Sequence, residues 1–175
     1  MNKINWGVFT LIFLVGCSKI TDNNILPPDM SSYFSSASLG CSNFVAYKYD
    51  STHTQYLVIQ GNGDSLQIDT ILKTYTISGN NILNIFIDKY TNPNQTCLPY
   101  CSDVICANDT SGLPTKYIAI NGTIEIKSTA IQHGTTSSYY YISLNLKGVI
   151  LQNRNDKIYL KEIKLDSVFV GWLPG

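Results

Sequence analysis

The run YYYISLNLKGVIL, residues 139–151, alternates with a period that a helix cannot accommodate. Tyr140, Ile142, Leu144 and Leu146 fall on one face, and Tyr141, Ser143, Asn145 and Lys147 fall on the other. That is the two-residue period of a strand with one side buried. The same pattern continues to either side. Ile124 and Ile126 alternate within 123–128, and Asn153-Arg154-Asn155-Asp156 supplies a turn. Ile158 and Leu160, then Ile163 and Leu165, resume the pattern, and Val168-Phe169-Val170 closes the chain as a core strand. Nearer the N-terminus, 44–49, 55–60 and 65–71 are short runs of aromatic and β-branched residues. Asp50-Ser51-Thr52 and Gly61-Asn62-Gly63-Asp64 separate them, and both read as hairpin turns. Runs 74–78 and 82–90 follow, split by Gly79-Asn80-Asn81. No segment carries a 3.6-residue period. The expected fold is all-β, an antiparallel β-sandwich, immunoglobulin-like or jelly-roll-like, with about eight to ten short strands.

Composition agrees and narrows the partners. The chain has 175 residues, enough for one domain with a core. Tyr is abundant at 12, while charged residues make up only 14% and the net charge is 0. A surface with so little field does not recruit polyanions, so nucleic acid is not expected as a partner. The fold is expected to act as a monomer.

Residues 91–116 interrupt the regularity with Pro93, Pro99, Gly112, Pro114 and three cysteines, a long loop that disulfides must hold. Cys41, Cys97, Cys101 and Cys106 allow three pairings, which sequence cannot separate. Cys41 with Cys101 and Cys97 with Cys106 is favoured, because the first ties the start of the domain to its middle and the second closes a compact loop. A four-cysteine metal site is disfavoured, since C-x3-C-x4-C lacks the C-x2-C knuckle, and no metal or cofactor is expected.

No catalytic motif is evident. His53 and His133 sit beside turn residues without a nucleophile arrangement. Asp88 and Asp103 are candidate carboxylates for glycoside hydrolysis, which sequence cannot place face to face, and Asp103 is expected to brace the disulfide loop. Gly61-Asn62-Gly63-Asp64-Ser65-Leu66 partly resembles calcium-binding β-roll repeats, but there is a single copy, so a hairpin turn is favoured. Tyr139 and Tyr141 form the candidate binding surface, two exposed aromatics suited to stacking on sugar rings or on a protein.

The N-terminus is the most specific part. No charge interrupts the run between Lys3 and Cys17, which at about a dozen apolar residues is too short to span a bilayer and fits a signal-peptide core. Leu14-Val15-Gly16-Cys17 resembles the lipobox of bacterial lipoproteins. The resemblance implies cleavage before Cys17, acyl chains on its sulfur and acylation of the freed amine. Ser18 after the cysteine implies transfer to the outer membrane, on the periplasmic or the surface side. The resulting division is a signal peptide at 1–16, a lipidated cysteine with a flexible tether at 17–40 and a β-sandwich at 41–175. As a coil of about 22 residues the tether would reach about 26 Å. The expected function is that of a lipid-anchored, non-enzymatic envelope protein that binds a glycan or an envelope protein, or serves a structural role. The competing expectation is a small envelope hydrolase with its site in the 91–116 loop.

Overall fold

The computed structural model describes residues 26–79, 82–91, 100–101, 113–133 and 138–171, with backbone alone at 130–133 and 138–139. Cys17, Cys97, Asp103 and Cys106 lie outside the described residues. The strands are β1 (Leu39–Cys41), β2 (Val45–Tyr49), β3 (Gln55–Gly61), β4 (Lys73–Thr76), β5 (Leu83–Lys89), β6 (Thr115–His133), β7 (Ser138–Asn153) and β8 (Asp156–Gly171). They form one antiparallel sheet in the order β1-β2-β3-β5-β6-β7-β8, with β4 also paired to β6.

The sheet curls until its two ends approach. The Gly171 N–H donates to the Ser42 carbonyl at 2.7 Å. At Gly40, a β-carbon would come within 2.5 Å of the Phe169 carbonyl oxygen, so only glycine lets β1 lie this close to β8. A single curled half-barrel therefore stands where two facing sheets were expected, and neither an immunoglobulin-like nor a jelly-roll order appears. The physical reason is length. β6, β7 and β8, at 19, 16 and 16 residues, are long enough to bend around the core, so one sheet supplies most of its wall. The concave face carries that core, with Leu57, Ile87, Ile124, Leu146, Leu160 and Leu165 fully buried. β6 changes partners along its length, pairing with β5 through 115–118 and with β4 through 123–126. The switch falls near Gly122, where φ is +120° and an added β-carbon would come within 2.8 Å of the Val149 Cα, so no side chain fits.

Two local expectations need correction. Residues 65–71 do not form a strand, and Gly61-Asn62-Gly63-Asp64 is not a hairpin turn, because Asn62 caps a single helical turn, α1 (Gly63–Leu66). Its side-chain oxygen accepts from the N–H groups of Asp64 at 3.0 Å and Ser65 at 3.4 Å, satisfying donors at a helix start. The hairpin partner of β3 is β5 instead.

The described part of the expected tether is packed on the sheet. Met30 N–H donates to the Tyr159 carbonyl at 2.9 Å, and Asp29 Oδ1 accepts from Lys161 N–H at 3.0 Å. Phe34 enters the core at 3% exposure, and Ser36 Oγ accepts from Tyr49 N–H at 2.9 Å. Serines read as spacer are here hydrogen-bonding partners for strand edges.

Candidate binding surfaces

On the convex face, β2, β3 and β5 also carry apolar side chains. Tyr47, Tyr56, Val58 and Phe86 point away from the main core yet are buried in a second cluster. The cause is visible in Tyr56-Leu57-Val58-Ile59 and Ile85-Phe86-Ile87, continuous apolar runs that give a strand two faces to cover. Part of the cover is Tyr100, whose ring centre lies 5.8 Å from that of Tyr47 and 6.2 Å from those of Tyr56 and Phe86. The Cys41–Cys101 disulfide, with a Cα–Cα distance of 5.4 Å, fixes Tyr100 there.

The polar groups of this cluster brace the cover. The Tyr100 hydroxyl donates to Asp88 Oδ2, and Tyr47 Oη donates to the Tyr100 carbonyl at 3.3 Å. Lys116 Nζ lies 3.6 Å from Asp88 Oδ1 and 3.9 Å above the Phe86 ring, an ion pair and a cation–π contact made by one ammonium. Burial pushes the Tyr100 phenol far above its ordinary value, and its hydrogen bond to Asp88 adds to the shift. Tyr56 is pushed up to about 12, chiefly by burial. Its hydroxyl is fully buried and makes no hydrogen bond among the described residues. These phenols stay protonated at neutral pH and act as packing groups. Asp88 is 3% exposed and tied to Tyr100 and Lys116, so it braces the cover rather than facing a cleft.

Tyr141 lies on the same convex surface, on β7, and is 38% exposed. Its ring packs edge-on against Phe169 of β8 at 5.5 Å, and the two residues are directly opposed in the ladder. The Tyr139 backbone pairs with Gly171, and its side chain lies outside the described residues. The aromatic pair is thus exposed Tyr141 with half-buried Phe169, across two strands. Phe169 escaped the sequence reading because only the register, not the alternation within β8, places it opposite Tyr141.

Beyond this pair the convex face is charged. Lys147 Nζ lies 2.7 Å from Glu125 Oε1, and Asn145 Nδ2 donates to Glu125 Oε2 at 3.3 Å and to Glu162 Oε1 at 3.0 Å. The Lys147 hydrogen bond holds the Glu125 carboxyl below its ordinary value.

At the end of the half-barrel, the β2–β3 turn closes on Asp50. Its Oδ1 accepts from Thr54 and Gln55 N–H at 2.8 and 2.9 Å, and its Oδ2 from the hydroxyls of Thr52 and Thr54 at 2.5 and 2.9 Å. Burial raises the affinity of Asp50 for a proton, but the four hydrogen bonds outweigh it and the carboxyl titrates below its ordinary value. A shallow polar cleft of about 480 Å³ opens beside this turn, walled by Tyr33, Ser35, Ser51 and Gln55. His53, exposed on the same turn, packs its ring on Tyr49 at 4.5 Å. Among the described residues no group of three or more His, Cys, Asp or Glu is placed to hold a metal ion, and no helix is long and apolar enough to cross a membrane.

The fold and these surfaces define a disulfide-braced, single-sheet β-domain. No family model matches the chain, and no curated protein and no solved structure matches it.

Proposed function

We propose that the protein is a bacterial outer-membrane lipoprotein, anchored through acylated Cys17, whose β-domain has a non-enzymatic binding or structural role in the cell envelope. The observation that carries it is the Leu14-Val15-Gly16-Cys17 tetrapeptide at the end of a short apolar run that follows Lys3. Acyl chains contribute about 0.8 kcal/mol per buried methylene, and two or more of them give stable anchoring. The Cys41–Cys101 bond supports the placement, because disulfides persist in oxidising compartments outside the cytoplasm. The packing of Tyr100 against Tyr47 and Phe86, with its ring tilted to theirs, favours a structural role for the disulfide-held residue over a catalytic one. Exposed Tyr141, backed edge-on by half-buried Phe169, suits stacking on a sugar ring or on an envelope protein, bound by the domain as a monomer.

The anchor is tested by Cys17→Ala in detergent phase partition. The native protein is expected in the detergent phase and the variant in the aqueous phase, and equal partition would refute the anchor. Binding is tested on a glycan array, where loss of signal in Tyr141→Ala is the expected result.

A further inference from the structure

The chain holds two Asn-Gly dipeptides, Asn62-Gly63 and Asn121-Gly122. In such a pair the two residues can react with each other. No side chain shields the glycine nitrogen, so it can attack the amide carbon of the asparagine before it. Whether it does depends on how the fold holds the two groups.

The two pairs are held in opposite ways. Asn62 is locked. Its Oδ1 reaches past Gly63 to accept from the N–H groups of Asp64 at 3.0 Å and Ser65 at 3.4 Å. The Gly63 N–H points elsewhere, donating to Asn43 Oδ1 at 3.1 Å. Attack on Asn62 therefore requires both the helix cap and the tie to Asn43 to break. At Asn121 the reacting groups already face each other. The Gly122 N–H donates to Asn121 Oδ1 at 2.8 Å, which brings the side-chain amide back against the nitrogen that attacks it. Asn121 is exposed, so water reaches it. The ladder around it is irregular, because the register between β6 and β7 shifts from Ala119 to Asn121 and again from Asn121 to Thr123. The positive φ of Gly122 belongs to the same irregularity.

We infer that Asn121 is a site of self-modification, converting in the folded protein to aspartate and isoaspartate. The Gly122 nitrogen loses its proton to hydroxide and bonds to Asn121 Cγ, and the bond from Cγ to Nδ2 breaks, releasing ammonia. Water then opens the cyclic imide. Cleavage at Cγ leaves aspartate, and cleavage at the main-chain carbonyl leaves isoaspartate, whose backbone runs through the side chain and is lengthened by a carbon. Both products add a negative charge. The longer backbone falls where β6 passes from β5 to β4, and the Gly122 carbonyl there accepts from the Ile77 N–H at 3.0 Å, so isoaspartate loosens the end of β4. The inference does not rest on the anchor proposed above.

The test incubates the folded full-length protein at neutral pH and in mild alkali. The peptides holding Asn62 and Asn121 are followed by mass spectrometry, and isoaspartate is tagged with an isoaspartyl methyltransferase. Asn121 should deamidate about tenfold faster than Asn62, which must first give up its cap. Alkali should speed it further, because the attacking nitrogen must lose its proton. In urea, which removes both arrangements, the two rates should converge. Asn43→Ala frees the Gly63 nitrogen and should raise the Asn62 rate without moving that of Asn121. Asn121→Gln should abolish the fast reaction. Equal rates in the folded protein, a faster Asn62, or reaction of Asn121 in urea alone would overturn the inference.

Discussion

The convex surface has two halves that solve the same problem differently. Over β6, β7 and β8 the outward side chains include Glu125, Asn145, Lys147 and Glu162, which pair with one another in water. Over β1, β2, β3 and β5 the outward side chains include Tyr47, Tyr56, Val58 and Phe86, which need a cover, supplied in part by Tyr100. The first half is finished by its own polar groups. The second depends on a segment distant in sequence and on the covalent bond that keeps it in place. A sheet of one connectivity thus carries a self-sufficient half and a dependent half.

If that contrast holds, the largest effect should come from releasing the cover. Cys41→Ser with Cys101→Ser opens a loop spanning 60 residues, and its unfolded-state entropy corresponds to about 4 kcal/mol. Urea unfolding should show that loss, together with binding of an apolar dye to the native state. Wild-type stability without dye binding would break the comparison. Leu146→Ala, in the core shared by both halves, should cost about 3 kcal/mol without dye binding in the native state, separating a packing loss from an uncovering.

Asp88→Ala leaves the half-buried Tyr100 hydroxyl without its acceptor and should cost about 2 kcal/mol. Alkali should act on the dependent half as well. The folded-state pKa of Tyr56, about 12, exceeds the ordinary phenol value of 10.0, so the protonated form favours the folded state. That stability is complete below the unfolded-state value and is lost as pH rises from about 10 toward about 12, which urea midpoints across that range will show. The smallest effect belongs to the charged half. Glu125→Gln removes an exposed pair and should leave the unfolding midpoint unchanged within error.

The same contrast explains what the sequence disclosed. Strands with one wet face announce themselves by alternation, which is why β7 is legible from residues 139–151 and β8 from Ile158, Leu160, Ile163 and Leu165. In β3 and β5 the continuous apolar runs mark strands but conceal a second covered face, because sequence does not say what lies upon it. Asn62 was misread because Asn and Gly serve hairpin turns and helix caps equally well, and only the hydrogen bonds to Asp64 and Ser65 decide between them. Gly40 gave no local sign of its role, since its constraint comes from Val168 and Phe169, far along the chain. Ser31 and Ser36, part of a serine-rich stretch that reads as spacer, serve strand edges, because a hydroxyl suits either use.

The proposed placement in the envelope depends on the chemistry of one residue, and the intact mass of the native N-terminal peptide tests it most directly. The account predicts a chain that begins at Cys17 and carries the added mass of its acyl groups. A peptide that retains Met1, or one with an unmodified thiol at Cys17, would contradict it.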